Sequence, residues 1–101
     1  MDDRQKQIIG ECLLAAASGR FFPDWEFHTL FGLDREEVAE VAAAWPNVDV
    51  SDKTVSLAIN NSFANLLGYP IDRPKEWPEH LSVSPADLGA SFDRWRSEPA
   101  V

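Results

Sequence analysis

Residues 34–46, DREEVAEVAAAWP, carry the signals of a helix that buries one face. Asp34 is suited to the N-cap, and Glu37 stands three residues later, as in a capping box whose two side chains each accept the other residue's amide. Pro46 prevents the helix from continuing. The apolar residues of this stretch recur at helical spacing: Val38, Val41, Ala42 and Trp45. Because such a stripe must be covered, the stretch predicts a helix packed against other helices.

Three further segments have the same character. In residues 5–18, 51–68 and 84–97 the apolar side chains recur every three or four positions, which is typical of amphipathic helices. Ser51 and Ser84 are suited to cap the second and third of these segments. The sequence therefore predicts four main helices.

A short aromatic helix is predicted between the first two main helices. Residues 21–32 read FFPDWEFHTLFG, and Pro23 or Asp24 can open a helix that Gly32 ends. Most of its rings are expected in the core.

A proline-rich loop is predicted before the last helix. Residues 69–83 contain three prolines, which disfavour both helix interiors and central strands. A minor variant pairs residues 47–50 with residues 81–83 as a small two-stranded ribbon. The predicted fold is thus all-α, a single domain over residues 1–101 that forms a compact irregular bundle. Its predicted core consists of Leu13, Phe31, Val38, Val41, Trp45, Ile59, Phe63, Leu66, Phe92 and Trp95.

The negative charge is concentrated in the middle of the chain. The net charge is −8 over 101 residues, and residues 21–50 hold seven acids against Arg35 alone, a local net of −6. Such a surface repels nucleic-acid phosphates and attracts basic partners. Acids also stabilise helix starts and keep proteins in solution, which is the plainer interpretation. Neither a membrane segment nor an oxidising compartment is indicated, since no long apolar run exists and Cys12 has no second cysteine to pair with.

Residues 27–45 resemble the helix-turn-helix of bacterial DNA-binding domains. The resemblance rests on Leu30, Gly32, Leu33, Glu37 and Val38. It implies a recognition helix facing the major groove, yet that helix would offer three glutamates and one arginine where bases are needed. We therefore expect no nucleic-acid binding.

No catalytic, cofactor or metal site is predicted. His28 lies four residues after Asp24, so a helix could let the carboxylate orient the imidazole, and this pair is kept as a candidate ligand site. The plainer alternative is a histidine packed among rings with Asp24 as a helix cap. Cys12 and His80 are far from this pair in sequence, and no zinc-binding spacing or nucleophile elbow occurs.

Asparagines mark a second candidate surface. Asn61 and Asn65 share one helix face, with Tyr69 just beyond, and their amides could contact a partner or bond the proline-rich loop. Trp77, in that loop, is expected to be partly exposed.

The leading functional hypothesis is a non-enzymatic, cytoplasmic interaction module of the immunity, antitoxin or inhibitor kind. Its acidic helix would bind a basic protein through Glu36, Glu37 and Glu40, with the asparagine surface as the second candidate contact. The alternatives are a DNA-binding regulator and a small-molecule binder or enzyme centred on His28.

Overall fold

The computed structural model describes residues 3–18, 22–68 and 77–97, and all of the regular structure in these ranges is helical. The helices are α1 (Asp3–Ser18), α2 (Asp24–Phe31), α3 (Arg35–Ala44), α4 (Lys53–Gly68), α5 (Trp77–His80) and α6 (Pro85–Ser97). The all-α prediction of four main helices and a short aromatic one is confirmed. α5 is a single turn at the end of the predicted proline-rich loop, whose residues 69–76 lie outside the described residues, as does Gly19.

The predicted ribbon is wrong, because neither of its pieces is a strand. The Asp49 carboxylate accepts hydrogen bonds from the Ser51 amide at 3.0 Å and the Ser51 hydroxyl at 2.6 Å, which turns the chain there. In the other piece, the Ser82 amide donates to Glu11 of α1 at 2.7 Å. Side-chain carboxylates thus hold a turn at the end of the first piece and bind an amide of the second, and the two pieces do not pair.

Helix ends largely follow the predicted caps. The Asp34 amide donates to Glu37 at 3.1 Å within the capping box of α3. Gly32 ends α2 in the left-handed conformation with φ 68°, which glycine adopts without steric cost. The Ser84 hydroxyl accepts the Asp87 amide at 3.2 Å and caps α6.

The cap assigned to Ser51 is wrong. α4 begins at Lys53, and the Asp52 carboxylate accepts the amides of Thr54 at 2.9 Å and Val55 at 3.2 Å. A carboxylate is the stronger acceptor at a helix N-terminus, where the dipole favours negative charge.

α1 and α4 lie at the centre of the bundle: α1 contacts α3, α4, α5 and α6, and α4 contacts α1, α2, α3 and α6. Seven of the ten predicted core residues are buried: Leu13, Phe31, Val38, Val41, Ile59, Phe63 and Leu66. Trp45, Phe92 and Trp95 are only partly buried and pack against this core from its edge. Trp45 lies at the edge because its indole N–H donates a hydrogen bond to the Lys6 carbonyl at 2.8 Å, which holds the ring within reach of that group.

Two contacts of α1 fix how closely its neighbours approach. Gln5 is buried at 1% exposure and donates to the Ser91 carbonyl of α6 at 2.9 Å. The Trp45 ring of α3 lies against Gly10, where an added Cβ would stand 2.9 Å from the indole Cδ1. Within the described residues, no helix combines the length and apolar character needed to cross a membrane.

Candidate functional site

Arg35, the only basic residue in 21–50, points into the protein. Its Nη1 donates to the carbonyls of Ala16 at 3.2 Å and Ala17 at 3.1 Å, in the last turn of α1. Its Nη2 donates to the Phe22 carbonyl at 2.8 Å. The last carbonyls of a helix have no partner within the helix, so the guanidinium satisfies groups that would otherwise be left unpaired.

The remaining contacts of Arg35 join α3 to α2. Its Nε lies 2.9 Å from the Asp24 Oδ1, and its Cζ lies 4.4 Å from the centre of the Phe27 ring. The Arg35 side chain is 26% exposed, whereas that of Asp24 is 92% exposed. The one cation of this segment is therefore largely withdrawn from the surface.

The three glutamates predicted as partner-binding residues differ in their surroundings. Glu36 and Glu40 are exposed on the outer side of α3. Glu37 is half-buried, and its carboxylate accepts the Asp34 amide in the capping box. Glu36 and Glu40 can meet a partner without disturbing the helix cap, whereas Glu37 has a structural role.

His28 is paired with a different carboxylate from the one predicted. Its Nδ1 lies 2.9 Å from the Asp34 Oδ1, and the two side chains are 72% and 69% exposed. The candidate pairing of Asp24 with His28 is not formed, because Asp24 binds Arg35 while the turn at Gly32 brings Asp34 back to α2. His28 is likewise not packed among rings.

Trp25 is a feature that the sequence interpretation missed. It is 80% exposed, although the neighbouring rings Phe22, Phe27 and Phe31 are buried. Phe27 and Phe31 stack with centroids 4.2 Å apart, and Phe22 meets Phe31 edge-on at 5.3 Å. Phe27 and Phe31 are four residues apart and share one side of α2, whereas Trp25 and His28 lie on the other side. This spacing was the sequence signal that could have shown Trp25 to be exposed.

Asn61 and Asn65 of α4 bind the C-terminal end of α2. The Asn61 amide donates to the Phe31 carbonyl at 2.7 Å, and the Asn65 amide donates to the Leu30 carbonyl at 3.0 Å. These carbonyls belong to the last turn of α2, where they lack helical partners. Both amides thus join α4 to α2, while residues 69–76 of the proline-rich loop lie outside the described residues.

Trp77, the other described residue predicted to contact a partner, lies on α5, which contacts α1. Trp77 is half-buried, packs against the core and donates its indole N–H to the Val83 carbonyl at 2.8 Å. Tyr69 lies outside the described residues. Cys12 is fully buried, and burial, aided by the charge of Glu11, raises the pKa of its thiol well above the ordinary value. Within the described ranges, no three His, Cys, Asp or Glu side chains are grouped so as to hold a metal ion.

The candidate site is therefore the outer surface of α2 and α3. We call it the acidic face, and it is formed by Trp25 together with Asp24, Asp34, Glu36 and Glu40. The chain matches no protein-family model, no curated protein and no solved structure. Its function has to follow from the chemistry of this surface.

Proposed function

We propose that this protein is a non-enzymatic interaction module whose acidic face binds a basic protein, as immunity, antitoxin or inhibitor proteins do. The observation that carries the proposal is the inward orientation of Arg35, which bonds three backbone carbonyls and Asp24. Glu36 and Glu40 face solvent beside it. Arg35 thus pairs with Asp24, while within the described residues neither Glu36 nor Glu40 forms an ion pair, so both charges are available to an approaching partner.

Charge of this kind acts mainly on the encounter between partners. Complementary surface charges raise association rates and exclude partners of like charge, and the effect weakens as salt is added. The same field opposes a DNA duplex, so the proposal excludes the helix-turn-helix alternative. We assign the module to the cytoplasm, since the buried thiol of Cys12 has no second cysteine with which to form an internal disulfide.

Charge reversal on α3 tests the proposal. The variant Glu36→Lys/Glu40→Lys changes the net charge by +4 and leaves Glu37 in its capping box. The matched control is Asp3→Lys/Asp87→Lys, which makes the same change at exposed acids in the first turns of α1 and α6. The α3 reversal loses one first-turn acid, Glu36, and the control loses two, so melting temperatures are measured to correct for the cost of a few tenths to about 1 kcal/mol per site.

The assay is retention of partners from an extract of the source organism, followed by association kinetics. We expect wild type and control to retain a basic protein that salt elutes, and the α3 reversal to lose it. With the purified partner, the reversal should slow association at low salt by about tenfold or more, and less at 0.15 M salt, where the Debye length is about 8 Å. Equal retention and equal association rates for reversal and control would reject the proposal, as would the absence of any retained basic protein.

A further inference from the structure

Trp25 is highly exposed and makes no structural contact within the described part of the chain that accounts for its position. It is the most exposed large apolar side chain of the described residues at 80%, ahead of Leu14 at 54% and Leu67 at 38%. Within the described part of the chain it makes no ring contact and no hydrogen bond. A tryptophan placed this way exposes a large apolar ring to water, and exposed tryptophans are enriched among the residues that dominate protein interfaces.

Exposed carboxylates lie on α2 and in the turn that follows it. Asp24 is its neighbour in sequence, and its side chain is 92% exposed with one oxygen held by Arg35. His28 lies one turn after Trp25 on α2, and its Nδ1 contacts the carboxylate of Asp34, whose side chain is 69% exposed. An aromatic face next to carboxylates is complementary to a cation. The best match is a planar guanidinium, which can stack on the ring while it donates hydrogen bonds to a carboxylate.

The protein holds its own arginines in this way twice. Arg35 lies 4.4 Å from the Phe27 centroid while its Nε binds Asp24. Arg96 lies 4.5 Å from the Phe92 centroid while its Nη2 binds Asp93 at 3.0 Å. Trp25 offers the same combination of ring and carboxylate on the surface.

We infer that Trp25 is the anchor of the acidic face and that the partner presents an arginine side chain to it. This inference rests on the proposed function and adds the residue type that is recognised. The α3 acids attract the partner, and Trp25 holds it once bound, so the ring should act on dissociation while Glu36 and Glu40 act on association.

The experiment uses two defined probes, the capped peptides acetyl-RGRGR-amide and acetyl-KGKGK-amide, titrated into the ¹⁵N-labelled protein at low salt. We expect the arginine peptide to bind more tightly than the lysine peptide and to shift the Trp25 indole N–H resonance. Trp25→Ala should weaken the arginine peptide about two- to fivefold and abolish its advantage over lysine. Trp25→Phe should keep part of that advantage.

Leu14→Ala is the matched control, because it removes another exposed apolar side chain from α1, which does not contact α2 among the described residues. It should leave both peptides unaffected. An unshifted Trp25 resonance, equal binding of the two peptides by wild type, or unchanged affinity in Trp25→Ala would overturn the inference.

The Glu36→Lys/Glu40→Lys variant separates this inference from the proposed function. If that reversal slows partner association while Trp25→Ala changes nothing, the acidic module stands and the anchor is rejected. If Trp25→Ala abolishes the arginine preference while the reversal leaves partner association unchanged, the role of the α3 acids is rejected and recognition by Trp25 stands.

Discussion

Replacing Arg35 should destabilise the protein far more than an exposed ion pair would suggest. Arg35→Ala removes three hydrogen bonds to backbone carbonyls, at distances of 2.8 to 3.2 Å, and the contact with the Phe27 ring. Hydrogen bonds to a charged group are worth about 1.5 to 3 kcal/mol each. Water entering the vacated space recovers part of this, because the Arg35 side chain is 26% exposed. We therefore expect a loss of about 3 to 5 kcal/mol.

Two companion variants separate the inner contacts from the surface one. Asp24→Ala breaks only the ion pair to Arg35. Because the Asp24 carboxylate is 92% exposed, the free energy of unfolding should fall by no more than about 1 kcal/mol. Arg35→Lys keeps the charge, but an ammonium lacks the fork geometry that reaches several carbonyls at once, so its cost should lie between the other two.

The assay is urea unfolding followed by circular dichroism, with thermal melting as a second measure. For a domain of this size, a loss of 3 kcal/mol lowers the melting temperature by at least about 12 °C. An Arg35→Ala protein within about 1 kcal/mol of wild type would refute the structural role of Arg35. So would an Asp24→Ala protein as destabilised as Arg35→Ala, because the ion pair would then account for the effect.

Three further predictions concern the glycines, the acid response and nucleic acid. Gly10→Ala should destabilise by about 1 to 3 kcal/mol because the new Cβ would stand 2.9 Å from Trp45, whereas Gly89→Ala, with nothing within 4 Å, should stabilise by about 0.5 to 1 kcal/mol in the same melting assay. Burial raises the pKa of Glu11, but hydrogen bonds from Ser82 and Gln7 and the charge of Arg4 together hold it below its ordinary value, so its contribution to stability is present at neutral pH and lost as pH falls below about 4.5. Glu11→Gln should remove that part of the pH dependence of the urea midpoint, and identical pH profiles would contradict the assignment. Fluorescence anisotropy with duplex DNA at about 0.15 M salt should show no binding, and micromolar affinity that falls steeply with salt would contradict this.

The contacts of Asn61 and Asn65 were only partly predictable from the local sequence. The shared face of Asn61 and Asn65 follows from their four-residue spacing, and a role in bonding backbone carbonyls was one of two interpretations. The identity of those carbonyls did not follow, since Phe31 and Leu30 lie 30 and 35 residues away in sequence. Helical periodicity determines which side chains share a face, and only packing determines what that face meets.

The sequence by itself determined the helices, because their signals are local. The capping box of Asp34 and Glu37, the left-handed end at Gly32 and the apolar stripe of α3 each depend on residues within a few positions of one another. The exposure of Glu36 and Glu40 followed from the same periodicity. The acidic helix of the candidate site was therefore predictable.

Only the tertiary structure decided which side chains of α2 and α3 turn inward. Most rings of the aromatic helix were expected in the core without a distinction among them, yet Trp25 is 80% exposed. No contact was predicted for Arg35, whose acceptors in α1 lie 18 and 19 residues away in sequence. A long cationic side chain binds whichever unpaired carbonyls the packing of helices brings within its reach, and no local pattern records where those carbonyls will be.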